Sequence, residues 1–109
     1  MEICSNVNEV KHLIENQECF ALYFSDGICG VAESLYPKLD DVFSSKYSNI
    51  NLKSVIGPMS PDIQSFLQVF TAPCFLLFIN GKETIRKAGN FSVVQLDKEI
   101  NRIYNLRFY

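Results

Sequence analysis

Thr71–Glu83 reads TAPCFLLFINGKE and compresses three signals into one short segment. A proline, Pro73, stands directly before an apolar run, Cys74–Asn80, that has the composition of a buried strand. The run ends in Asn80-Gly81, the two-residue signal of a type I′ hairpin, so Glu83–Lys87 should return antiparallel until Gly89 breaks it. Upstream, Cys19–Ser25 (CFALYFS) is apolar without clean alternation and reads as a strand covered on both faces, at the centre of a sheet. Ile50–Ile56 alternates with period two, and Met1–Cys4 suits a short edge strand.

The intervals between these strands carry helical spacing. Asn6 is placed as an N-cap with Glu9 as its capping partner, ahead of Val7, Val10, Leu13 and Ile14. Leu35, Leu39, Val42 and Phe43 mark a second helix to about Tyr47, with Pro37 inside it and expected to kink it. Pro58 and Pro61 interrupt the chain. Ser60 or Asp62 then caps a third helix, whose expected buried stripe is Ile63, Phe66, Leu67 and Phe70. Ser92 opens a last helix with Val93, Leu96, Ile100 and Ile103 on one face. The order β-α-β-α-β-α-β-β-α makes residues 1–109 one α/β domain, with right-handed crossovers and an antiparallel hairpin at the edge.

Composition narrows the function. The 109 residues are 48% hydrophobic and 13% aromatic, enough for a packed core. Net charge is −2 with no basic run, which argues against nucleic acid as a partner. Phe75–Ile79 is the longest wholly apolar run, far below the roughly 20 residues of a membrane span. The first residues have neither the basic nor the apolar region of a signal peptide. Four cysteines without such a signal point to free thiols in a reducing, cytoplasmic setting. Their spacing, with a single histidine, gives no zinc motif, so neither metal nor cofactor is expected.

These features in this order resemble the thioredoxin superfamily. Cys29-Gly30-Val31-Ala32 is similar to the family's C-G-P-C site, with the first cysteine and its glycine kept. Pro37 resembles the proline of the active-site helix, and Thr71-Ala72-Pro73 with CFLLFINGKE resembles the family's cis-proline, strand and hairpin. Lys87-Ala88-Gly89 with Ser92 and Gln95-Leu96 looks like the glycine and final helix. The resemblance implies a thioredoxin fold: a central mixed sheet of four to five strands flanked by four helices. It also exposes departures. Ala32 stands where the resolving cysteine belongs, Val31 replaces the intervening proline, and Ser25 and Ile28 replace two tryptophans. Tyr23 takes the place of the buried acid.

Cys29 is therefore the candidate catalytic thiol. A cysteine at a helix start meets unpaired N–H groups and the positive end of the helix dipole, which favour thiolate over thiol. Such a thiolate forms a mixed disulfide with a protein or a low-molecular-weight disulfide. Without a sulfur at Ala32, an outside thiol such as glutathione must resolve it, a monothiol mechanism. Asp26 and Glu33 flank the cysteine and oppose its ionisation unless they face solvent. Cys74, after Pro73, is the alternative resolving thiol, a pairing that requires Cα atoms within about 7 Å; otherwise it is a core residue. Gly30, Ala72 and Pro73 are the expected substrate groove, in which the backbone beside Pro73 binds an extended peptide by strand addition.

Two other functions compete. The scaffold and groove serve as a redox-inactive binding module, or C-G-V-A resembles the C-G-F-S site of cluster-binding monothiol glutaredoxins. The segment NGKETIRKAGNFS lacks the glycine pair and acidic residues that the second reading needs.

Overall fold

A computed structural model describes residues 2–26 and 31–108. The chain forms β1 (Glu2–Ile3), α1 (Val7–Asn16), β2 (Cys19–Ser25), α2 (Val31–Lys46) and β3 (Asn51–Ile56). A 3₁₀ turn over Gly57–Met59 leads into α3 (Pro61–Leu67), β4 (Cys74–Ile79), β5 (Lys82–Ala88) and α4 (Val93–Phe108). The sheet order is β1-β3-β2-β4-β5. β1, β3 and β2 run parallel, and β4 and β5 run antiparallel to their neighbours.

β2 lies in the middle because every residue of CFALYFS can be buried. Its seven side chains are all buried, and they alternate between two cores. Cys19, Ala21 and Tyr23 join Phe75 and Leu77 of β4 under α2 and α4, through Leu35, Leu39, Phe43, Leu96 and Ile100. Phe20, Leu22 and Phe24 join Cys74, Leu76 and Phe78 under α1 and α3, through Val10, Leu13 and Ile63. The Phe20 and Phe78 rings stack on that second face, with centroids 4.8 Å apart. α2 continues through Pro37.

Local signals set the element ends. The Asn6 side chain accepts from the Glu9 amide at 3.1 Å, capping α1, and donates to the Glu9 carboxylate at 3.3 Å. Asn80 and Gly81 both have positive φ, +52° and +78°, as a type I′ turn requires. The ladder shifts there: Leu77 faces Ile85 but Phe78 faces Glu83, so Thr84 is the extra residue of a bulge in β5.

The third helix differs from its expected form. It ends at Leu67, Gln68 adopts the left-handed conformation (φ +55°), and the Val69 amide bonds back to the Gln64 carbonyl. That reversal puts Val69 in the core, where the sequence suggested Phe70. Phe66 and Phe70 are instead 44% and 70% exposed. Ser60 holds the N-cap position, as expected. The Ser60 side chain makes no cap bond, and the Asp62 carboxylate accepts from the Val7 amide on α1 at 2.9 Å.

Candidate functional site

The candidate catalytic Cys29 and its neighbour Gly30 lie outside the described residues. The segments on either side of them are described. β2 ends at Ser25, which is buried, and Asp26 follows it, exposed. α2 begins at Val31. Ahead of β4 the Ala72–Pro73 peptide is cis. Three chain segments converge on a cleft of about 160 Å³: Ser25–Asp26 after β2, Gly57–Pro58 after β3, and Phe70–Ala72 before Pro73. The structure thus brings Ala72 of the expected groove to the end of the strand that leads toward Cys29.

Gly57 lines this cleft. A Cβ there would come within 2.8 Å of the Gln64 side-chain nitrogen and 3.7 Å of the Ser25 carbonyl. Among the described residues that line the cleft, Asp26 carries the one charge, and Phe70 contributes an exposed ring. Met59, next to the lining Pro58, is 76% exposed.

Arg86 of β5 holds the segment that carries Phe70. Its guanidinium donates to the Leu67 and Gln68 carbonyls at 2.8 and 3.1 Å, the orphan acceptors at the end of α3. The same fork grips the Glu83 carboxylate through two bonds, at 3.0 and 2.8 Å, which fixes its orientation. Sequence reading missed this clamp, because its ends lie 18 and 19 residues apart and no local pattern joins them. It also left Gly57 unremarked and gave Phe70 to the core.

The other cysteines are packing groups. Cys4, Cys19 and Cys74 are buried, and Cys4 and Cys74 are free. Cys74, only 1% exposed, sits with Phe24 and Leu76 on the sheet face covered by α1 and α3, opposite to α2. Burial pushes its thiol pKa up. Burial chiefly, helped by the Glu9 carboxylate, pushes the Cys4 thiol up to about 11. Neither favours the thiolate that exchange chemistry needs. Tyr23 is fully buried on the α2 face, its ring edge-on to Tyr36 at 6.5 Å.

A polar network ties the C-terminal end of α2 to the first turns of α4. The Tyr47 hydroxyl donates to the Asp97 carboxylate and to the Asp97 carbonyl (3.0 Å), and Lys46 pairs with the same carboxylate at 2.7 Å. Burial works to raise the Asp97 pKa, but the bonds from Lys46 and Tyr47 outweigh it and hold the carboxyl below its ordinary value. Among the described residues there is no group of three or more side chains suited to hold a metal, and no helix is long and apolar enough to cross a membrane.

The arrangement has known counterparts. No family profile matches the sequence. The thioredoxin-like protein YdfQ of Bacillus subtilis is 29% identical over 97 residues, covering 89% of this chain and 86% of its own. Mitochondrial thioredoxin 3 of Saccharomyces cerevisiae superposes with a TM-score of 0.84 at 22% identity, over 94% of both chains. A Fasciola hepatica thioredoxin superposes at 0.83 and 21% identity, over 94% of this chain and 98% of its own. Those structures share the five-stranded mixed sheet, the four helices and their order. With a curated relative that spans most of both sequences, they account for the motifs read along the chain: it has the thioredoxin fold and is similar in sequence to a thioredoxin-like protein.

Proposed function

We propose that this protein exchanges disulfides through Cys29 by a monothiol mechanism. The Cys29 thiolate attacks one sulfur of a partner disulfide, a new S–S bond forms, and the departing thiolate takes up a proton from water. Ala32 offers no second sulfur, so an outside thiol, from a protein or a small molecule such as glutathione, attacks the mixed disulfide. Attack on the partner's sulfur forms a disulfide between the two and releases the Cys29 thiolate; attack on the Cys29 sulfur releases the partner thiol and leaves the outside thiol on Cys29, for a second thiol to remove as a disulfide. The observation that carries this reading is the kept thioredoxin scaffold around the position, with β2, the start of α2 and the Ala72–Pro73 segment in family order. Cys74 takes no part in this mechanism, in keeping with its burial on the opposite face. No metal or cofactor enters it, and a reducing, cytoplasmic setting suits it.

The test is the pH dependence of alkylation at each cysteine, read by mass spectrometry, followed by exposure to the neutral bis(2-hydroxyethyl) disulfide. Cys29 should alkylate with a pKa clearly below about 8.5 and take the adduct, while Cys4, Cys19 and Cys74 stay protected in the folded state. An ordinary thiol profile with no adduct refutes the mechanism. Tyr23 favours a second reading, a redox-inactive binding module, because a buried phenol stands where the family carries its proton-handling acid. In that case Cys29→Ser binds partners as the parent does.

A further inference from the structure

We infer that a second cleft, between α1 and the β1–β3 margin of the sheet, binds a small zwitterion: a free amino acid with an apolar side chain. Its volume is about 440 Å³, within the range of pockets that hold small molecules. It lies on the sheet face covered by α1 and α3, opposite to α2, and is independent of the chemistry of Cys29. β1 sets only two residues beside the ten of α1, so the outer strand covers little of the helix and Lys53 of β3 lines the gap. Alternation along β3 turns Lys53 to the same face as Val55, under α1. Two buried residues, Cys4 and Leu13, form the apolar part of the lining. Burial chiefly, with the Glu9 carboxylate, keeps Cys4 a neutral thiol, so it offers soft apolar surface rather than a nucleophile.

The polar lining carries both signs, each with bonding capacity to spare. The Lys53 side chain is only 16% exposed, and its ammonium donates to Glu2, a largely exposed carboxylate, at 2.8 Å. An ammonium has three donors, so two remain for a ligand carboxylate. His12 supplies another. The Asn16 side-chain nitrogen donates both to the His12 carbonyl, at 2.9 Å, and to His12 Nδ1, at 3.1 Å. That pattern puts the ring hydrogen on Nε2 and holds the imidazole in place. On the other side, the Glu9 carboxylate accepts from the Asn6 amide at 3.3 Å and from the Cys4 thiol. Its roughly four lone-pair sites leave room for a ligand ammonium. A simple anion would meet the like charges of Glu2 and Glu9, and a simple cation that of Lys53. A molecule with both charges on one short frame matches the two sides together. Lys53 and His12 then take the carboxylate, Glu9 the ammonium, and Leu13 with Cys4 the apolar side chain.

The experiment titrates the full chain, labelled with nitrogen-15, with leucine, N-acetyl-leucine and leucinamide. Amide chemical shifts are followed up to about 20 mM, which reads Kd values in the millimolar range. Leucine should shift amides of α1 and those around Lys53, and bind about tenfold tighter than either analogue, since each lacks one charge. Glu9→Gln should erase the advantage over N-acetyl-leucine and keep that over leucinamide. His12→Phe and Lys53→Met should do the reverse. Glu9 and His12 are exposed, and the dispersion of each spectrum checks that the variant folds; His12→Phe carries the carboxylate arm if Lys53→Met does not fold. No shifts at about 20 mM, shifts spread over the whole surface, equal affinities for the three compounds, or variants that keep both preferences each overturn the inference. The alkylation test reads Cys29 and this one reads α1, so either can fail alone.

Discussion

Replacing Arg86 by methionine tests how the cleft wall is held. The variant keeps an apolar stem of similar length and removes the guanidinium donors. Two kinds of interaction disappear. The bonds to the Leu67 and Gln68 carbonyls are charge-assisted and satisfy a helix end. Bonds of this kind contribute about 1.5–3 kcal/mol when dry and less when wet. The Arg86 side chain is 35% exposed, so about 1–2 kcal/mol is expected for the two together. The pair with Glu83 is a surface contact between residues three apart and adds about 0.3–0.5 kcal/mol. Urea unfolding followed by far-ultraviolet circular dichroism should therefore show a loss of about 1.5–2.5 kcal/mol, and thermal unfolding a fall of roughly 6–10 °C for a chain of this size. Glu83→Gln is the control. It loosens the fork but leaves both carbonyl bonds, so it should cost about 0.5 kcal/mol. The Val69 amide, bonded to the Gln64 carbonyl at 3.0 Å, should exchange its hydrogen faster in Arg86→Met than in Glu83→Gln. If the two variants lose equal stability, Arg86 is only a surface partner of Glu83, and the clamp argument is wrong.

Two further variants probe other parts of the fold. Asp97→Asn should cost about 1 kcal/mol at pH 7, since it weakens the bonds from Tyr47 and the half-exposed Lys46. The folded carboxyl lies below its unfolded value, so its contribution is present above the ordinary carboxylate pKa of about 3.9 and is lost as pH falls through the lower folded one. Parent and variant stabilities, measured by urea unfolding, should thus converge in acid; a gap that widens there would contradict the assignment. Gly81→Ala and Gly89→Ala both place a side chain at positive φ and should each cost about 1–2 kcal/mol. Gly81→Ala should be the worse by thermal melting, because its Cβ also meets the Ile14 carbonyl at 3.2 Å, whereas nothing lies within 4 Å at Gly89. Equal melting points would show that the contact is relieved at no cost.

The strands were legible because their side chains obey one constraint each. CFALYFS is buried on both faces, so an unbroken apolar run was the right signature for it, and Asn80-Gly81 fixed the hairpin through backbone conformation alone. Asn6 with Glu9, and Ser92 with the Gln95 amide, worked for the same reason: capping is a matter of three residues. The end of α3 was not legible. Helical spacing chose Phe66 and Phe70 for the buried stripe, but Gln68 turns left-handed, Val69 enters the core and Phe70 swings out. The stop depends on Arg86, far along the chain. The same limit applies to the cleft, whose three walls come from residues about thirty and fifteen positions apart.

The bulge at Thr84 bears on how copies of this protein meet one another. β5 is an outer strand seven residues long, and a straight, apolar edge of that length would offer its free hydrogen-bonding groups to another chain. Instead the extra residue breaks the regular spacing of those groups, and the strand is dense in charge, with Arg86 paired to Glu83 and Lys87 to Glu99 beside Lys82. At the opposite margin β1 offers only two residues. A concentrated solution should therefore lack the runaway edge-to-edge stacking that ends in cross-β fibrils.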